Sequence, residues 1–485
     1  MNGITISKFH SLLSQDPSLA PTLITNALTS INNHDQILKS IITTNPAAIS
    51  EAKTQKQTNL PLHNIPIILK DNYTTPTLPT TAGVLALHIS HSKSTVYTRL
   101  KQAGAIILAK ANLHEFALQG ITLSSVRGQT LNPYDPSRTP GGSSGGTAAA
   151  IAAGFAIAGC GTDTVNSLRS PASACGIVGF RPSTGRIPTD GVVPVSFTQD
   201  VLGPMAGCVA DVRVVYGVMA GLSVPPVCVS RKWRVGVLES FFGPEGLDHE
   251  TVAENRIVRD VIGKALDSLG DIVELVPISR PEWSFEILSA KGDTQAFEFK
   301  YCLDKFLGEV ESSHSSLESI VRSGEYSREA VTEVFEAGLV DPDTYCVTSE
   351  AYQERLEFIA GLKGDVDCCF EEFGVDALVY PHQRQLPVKI GVRKQGGRNG
   401  ILAALTGRPA ICIPGKWMWI FDVGCWLMCI AGMSPRTETA VKGVPIGLEF
   451  MGKRWGEEDL LDLAECVEGI LQVHETPDMR FFESK

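Results

Sequence analysis

The spacing of apolar residues changes period along this chain, and each change marks an element. From residue 5 to residue 55 apolar positions fall at helical spacing, as in Phe9, Leu12 and Leu13 and then Ile37, Leu38 and Ile41, with proline breaks that predict several short helices. Ile65-Pro66-Ile67-Ile68-Leu69 is instead a short unbroken apolar run ending at Lys70, the pattern of a buried strand. A helix is predicted over 96–103 and a strand over 105–109. Residues 147–153 are alanine-rich, small and without charge, so a helix there packs against neighbours on every side. Further on, 234–238, 252–269 and 272–276 read as strand, helix and strand, one βαβ unit. The stretch 283–362 is largely helical and charged; 376–381 is a buried strand ending in Pro381, 399–405 a helix, and 443–452 and 457–471 a last strand and amphipathic helix. Such alternation argues for α/β layering.

The chemistry gathers at the two ends of the uncharged helix. Before it lies a loop with Gly141, Gly142, Ser143, Ser144, Gly145 and Gly146; after it, a short return strand leads to a second loop with Thr162, Asp163, Thr164, Asn166 and Ser167. The glycine loop has several readings. As a flexible glycine-serine turn it would be an odd neighbour for a buried helix. As a phosphate cradle it lacks the Lys that a Walker loop places before its Thr. Gly141-Gly142-Ser143-Ser144-Gly145 fits a G-x-S-x-G nucleophile elbow, but that elbow needs a strand directly before it, and Asn132-Pro133-Tyr134-Asp135-Pro136 is a turn-former. A serine needs a base to become a nucleophile. Lys70 is a candidate if burial of its strand lowers its pKa enough to leave it neutral; it also fits an ordinary lysine at a strand end.

The loop GGSSGGTAAAIAAG, the turn GTDTVNSLRSPA with Ser167 24 residues beyond Ser143, and the upstream IPIILKDNY together resemble the amidase signature family. The resemblance runs from about residue 60 to residue 204 and resumes near Tyr380. It implies a single large α/β/α sandwich with a mixed central sheet, and an amide hydrolase with Ser167 as nucleophile, Ser143 as a bridging serine on a cis peptide and Lys70 as base. Backbone N–H groups of Thr164, Val165, Asn166 and Ser167 would hold the oxyanion. One departure stands at that point: the commonest family pattern has two glycines before the nucleophile, whereas Val165 and Asn166 stand here, as in a fungal-type sub-group, so the turn either uses ordinary φ or is strained. Thr198 and Asp200 read either as site-lining residues or as turn caps. The implied segments are a helical wrap over 1–60, the signature core over 61–222, and the rest of the same domain over 223–485, where 283–362 would roof the substrate entrance. Residues 416–432 hold three of the six tryptophans and read as retained intron sequence, because joining IPG to MSPRTETAVKGVPIGLEFMG restores the family's contour; a buried strand or a partner-binding patch are the structural readings. An acyl transferase using the same acyl-enzyme and a non-catalytic scaffold of this fold are the alternative functions.

Composition narrows the partners. With 485 residues, 43% hydrophobic and 20% charged, the chain can bury a large core. A net charge of −11 argues against nucleic acid and against an anionic membrane surface. The first 20 residues lack a basic start followed by an apolar run, and no membrane anchor is expected. Twelve scattered cysteines, Cys368 and Cys369 adjacent, read as reduced thiols of a cytoplasmic protein. Only His88 and His91 lie close among the histidines, without further ligands, so neither a metal nor a cofactor is expected. The expected partners are a small-molecule amide and at most a second copy of the chain in a homodimer.

Overall fold

A computed structural model describes residues 1, 3–55, 59–223, 231–243, 249–414, 443–471 and 476–483. The Trp-rich run 416–432 lies outside the described residues. The strands are β1 (Ile41–Thr44), β2 (Pro66–Lys70), β3 (Ile106–Ala111), β4 (Leu123–Ser124), β5 (Gly128–Gln129), β6 (Ala158–Asp163), β7 (Val178–Arg181), β8 (Val201–Ala206), β9 (Trp233–Leu238), β10 (Val273–Ile278), β11 (Ala377–Pro381), β12 (Ala410–Pro414) and β13 (Gly447–Gly452). Among the described residues, 11 of them form one sheet in the order β1-β3-β2-β6-β8-β7-β12-β13-β11-β9-β10, while β4 and β5 pair apart. The β3–β2, β2–β6, β11–β9 and β9–β10 pairs are parallel. The remaining pairs are antiparallel, so the sheet is mixed.

Unbroken apolar runs become strands here because helices cover both faces of the sheet. Ile67 and Leu69 enter one core with Ile107, Val379, Ile411 and Phe450, while Ile68 points the other way and joins Ile106, Leu108 and Cys412. Leu378, Tyr380 and Met451 serve a third cluster beneath the helix Glu350–Phe373. The architecture is the expected α/β/α sandwich. The βαβ unit also forms as expected, with β9 and β10 parallel and the helix His249–Asp267 between them. Among the described residues, no helix is long and apolar enough to cross a membrane.

The N-terminal region departs from the helical expectation at Ile41. The helix Leu19–Leu38 stops at Lys39, which takes left-handed φ and ψ and donates its N–H to Asp35 O. The Asp35 carboxylate then accepts the Ser40 N–H at 2.7 Å, the Ser40 hydroxyl at 2.5 Å and the Ile41 N–H at 3.1 Å. This turns the β-branched Ile-Ile-Thr-Thr into the sheet edge, antiparallel to β3. Helical spacing runs through the break because the stop is made by side-chain chemistry that the apolar pattern does not register.

Beside the end of β2, a fully buried ion pair fixes how the chain leaves the sheet. Lys110 Nζ lies 2.6 Å from Asp71 Oδ1 with both side chains shut off from solvent, and it also donates to Thr80 Oγ1 at 2.8 Å. Asp71 also takes the Thr81 hydroxyl at 2.5 Å. Asp71→Asn leaves the Lys110 charge buried without its counter-charge and is expected to destabilise the fold by about 3–5 kcal/mol. A urea midpoint unchanged from the parent would contradict this.

Candidate active site

Lys70 is the last residue of β2 and is completely buried. Its Nζ lies 2.7 Å from Ser143 Oγ and 2.7 Å from Thr162 Oγ1, the latter also accepting from Asn72 Nδ2 at 3.2 Å. Burial pulls the Lys70 pKa from 10.5 down to about 7, against the opposing pull of Asp163 and then Asp200. At neutral pH the amine is therefore poised between its charged and neutral forms.

Ser143 follows a cis peptide bond from Gly142. Gly141 has φ +73°, and a Cβ on Gly142 would come within 3.0 Å of Gly120 C and Ile121 N, so this loop admits no side chain at either position. Thr122 ties the loop down by donating to Gly141 O at 2.7 Å and accepting the Gly145 N–H at 3.1 Å. The His114 N–H donates to Ser143 O at 3.2 Å. The helix Gly145–Ala152 that follows is buried throughout, as its lack of charge predicts. No strand lies between β5 and this helix, which matches the objection to a nucleophile elbow.

Ser167 sits on the loop after β6. The Ser144 N–H donates to Ser167 O at 3.3 Å, which brings the two serine loops together, although among the described residues no hydrogen bond joins Ser143 Oγ to Ser167 Oγ. Val165 O accepts Arg169 Nη2–H at 2.6 Å, and Asn166 O accepts the Ser170 N–H at 2.7 Å. In a planar trans peptide the N–H opposes the C=O, so these bonds turn the N–H groups of Asn166 and Ser167 the other way. Among the described residues, the N–H groups of Thr164, Val165, Asn166 and Ser167 have no acceptor, and all four residues line the cavity. Neither Val165 nor Asn166 has positive φ. The turn thus uses ordinary φ in place of the family's two glycines.

The loop is braced from behind. Asp163 accepts Arg169 Nε–H at 3.1 Å, Arg181 Nη1–H at 2.9 Å and the Leu168 N–H at 3.0 Å, and the two guanidinium groups hold its pKa far below the carboxylate range despite burial. Arg169 reaches on to Glu449, which also accepts Tyr380 Oη–H at 2.9 Å and contacts His382 Nδ1 at 2.5 Å. Asp200 accepts the Thr164 hydroxyl at 2.6 Å and the N–H groups of Val195 and Ser196 at 2.8 and 3.0 Å, so it is both turn cap and brace of the loop. Thr198 is held by Glu298, its N–H donating at 3.2 Å.

The cavity over Ser167 has a volume of about 380 Å³. Val331 and Thr332 line it from the variable region 283–362, and a fourth apolar cluster docks that region onto Phe116, whose ring centroid is 5.6 Å from that of Phe299. Sequence reasoning missed several contributors. The helix Arg169–Cys175 starts two residues after Ser167, where a loop was expected. Gly400 precedes the helix Ile401–Thr406 and donates its N–H to Asn166 Oδ1 at 3.1 Å; a Cβ there would lie 2.4 Å from that oxygen. His114, drawn to a pKa of about 4 by burial, stays neutral and contacts Ala330 O through Nε2 at 3.1 Å. Gly400 sits in the segment 399–405 that the sequence marks only as a helix, and nothing in the sequence around His114 marks that residue.

A family model described as Amidase matches residues 22–461. A glutamyl-tRNA(Gln) amidotransferase subunit from Synechococcus sp. (strain CC9605) is 32% identical over 462 residues, covering 88% of this chain and 86% of that protein. The corresponding subunit of Deinococcus radiodurans is 30% identical over 464 residues, covering 92% and 90%. Among solved structures, the native peptide amidase from Stenotrophomonas maltophilia matches with a TM-score of 0.82 at 26% identity, covering 99% of each chain.

Proposed function

The chain belongs to the amidase signature family, and we propose that it hydrolyses the C–N bond of a carboxamide through an acyl-enzyme on Ser167, with Ser143 as relay and Lys70 as base. The observation that carries this reading is the buried amine of Lys70, 2.7 Å from Ser143 Oγ with its pKa lowered to about 7, beneath a loop whose N–H groups are free to receive an oxyanion. Neutral Lys70 takes the Ser143 proton while Ser143 takes the Ser167 proton, and Ser167 Oγ bonds to the amide carbon. The carbonyl electron pair moves to oxygen, facing the N–H groups of Asn166 and Ser167; each such donor is worth about 3 kcal/mol in the transition state. When the pair returns, the C–N bond breaks and the leaving amine takes its proton from Ser143, which Lys70 resupplies. Water repeats the sequence on the acyl-enzyme and frees the acid and Ser167. Lys70 ends neutral. The cysteines among the described residues are all free thiols, which supports a reducing, cytoplasmic setting.

The test is product analysis over a panel of primary carboxamides, with and without hydroxylamine. Equimolar ammonia and acid are expected, with hydroxamate replacing acid as hydroxylamine rises, because both arise from one acyl-enzyme. Release of ammonia only when an amine or alcohol acceptor is present would instead favour an acyl transferase, and no ammonia from any amide would count against both.

A further inference from the structure

Among the described residues, the five arginines shut off from solvent are matched to carboxylates, while the half-buried Arg99 and Arg355 have none and donate instead to backbone carbonyls, to Met219 O at 2.6 Å and to Asp293 O at 3.1 Å. Arg169 and Arg181 share Asp163, Arg213 pairs with Asp462 at 2.7 Å, Arg384 with Glu286 at 2.7 Å, and Arg408 with Asp367. Arg398 is partly buried in the wall of the cavity over Ser167, and among the described residues no carboxylate lies within ion-pair distance of it. Its Nη2–H reaches Gln119 Oε1 only at 3.5 Å, and its Nε is buried without a partner. Burial lowers its pKa to about 10, so it remains a cation at neutral pH. Asp163, whose field reaches it, is already bound to two other guanidinium groups.

The backbone leaves room for this group. A Cβ on Gly120 would fall 2.1 Å from Arg398 Nη1, and Gly120 in turn abuts Gly142, one residue before Ser143. The guanidinium is thus stationed within one backbone layer of the reacting serines. Other charges lining the cavity are solvated or engaged: Arg393, Lys394, Glu329 and Glu333 are exposed, and Asp293 accepts from Gln295 at 2.9 and 3.0 Å. A guanidinium with a buried, unused donor gains from an anion that completes it, and it matches a carboxylate through two parallel N–H bonds.

We propose that Arg398 receives a carboxylate carried by the substrate, so that the preferred substrates are carboxylate-bearing amides such as monoamides of dicarboxylic acids. This rests on the amide-hydrolase reading of the cavity, and the test separates the two. Calorimetric titration of the unreactive Ser167→Ala chain with malonate, succinate, glutarate and adipate, each against its neutral diamide, is expected to show at least one dicarboxylate binding on the order of 10- to 100-fold tighter than its diamide. Arg398→Gln in the same background is expected to abolish that preference and Arg398→Lys to restore part of it. The proposal is overturned if no dicarboxylate is preferred over its diamide, or if the preference survives Arg398→Gln. Should Arg398→Gln fail to fold, the parent's preference and the Lys variant decide. Ammonia release from the corresponding monoamides is measured on the Ser167 chain. Its absence from every amide would remove the hydrolase reading while leaving the binding result to judge Arg398.

Discussion

Ser167→Ala is expected to lower amide hydrolysis by on the order of 10⁴-fold or more, and to remove the single adduct that a fluorophosphonate adds to the parent chain. The size follows from what the substitution takes away. The other hydroxyl of the same cavity-lining loop, Thr164, is held by Asp200, and without Ser167 Oγ the amide carbon has no nucleophile but water. Ser144 provides the internal control. Its hydroxyl donates to Thr162 O at 3.2 Å and its N–H to Ser167 O, so it is engaged in structure, and Ser144→Ala is expected to keep the adduct. Intact-mass measurement reads both at once. If the adduct persists in Ser167→Ala and disappears in Ser143→Ala, the roles of the two serines are reversed and the proposed relay is wrong.

How far the sequence revealed this site depends on where the specifying chemistry lies. Lys70, Ser143 and Ser167 were singled out by three motifs in one order, each of which alone has other readings, and the structure places Lys70 Nζ 2.7 Å from Ser143 Oγ with the Ser167 loop tied to the Ser143 loop through Ser144. The loop that presents Ser167 was only half legible. Val165 and Asn166 left open whether the turn is strained or uses ordinary φ; the answer lies in Arg169 and Ser170, which bond to the carbonyls of Val165 and Asn166, and a carbonyl's partner leaves no mark on apolar periodicity. The helix Arg169–Cys175 was hidden by its serines and Pro171, which favour turns in isolation but are tolerated in a first helical turn packed on β7 and β12. Arg398 was illegible for a different reason. In a basic glycine loop an arginine reads as solvated, and only the fold shows that it lacks the carboxylate its buried counterparts possess.

Lys70→Met is the second large effect, and it should run in opposite directions for activity and stability. Folding lowers the lysine pKa from 10.5 to about 7. Between those values the unfolded chain binds the proton that the folded chain has released, so stability rises as pH climbs from 7 toward 10.5, and below pH 7 the fold carries the full cost of a buried charge. Methionine keeps the length of the side chain without the charge. At pH 6 the variant is expected to be more stable by about 2–4 kcal/mol, the relieved cost of the charge less the hydrogen bonds lost by Ser143 and Thr162, with the gain shrinking as pH rises. Hydrolysis, in contrast, is expected to fall by roughly 10³-fold or more, because a positioned base contributes 10²–10⁴ and the Ser143 relay then has nowhere to send its proton. The parent's kcat should rise with pH through about 7, as the amine becomes neutral, and that limb should be missing from the variant. Denaturation curves and pH–rate profiles on the two chains check both halves. A variant that lost activity but was also less stable at pH 6 would mean that Lys70 is charged and favourably paired in the folded state, and a charged lysine cannot be the base.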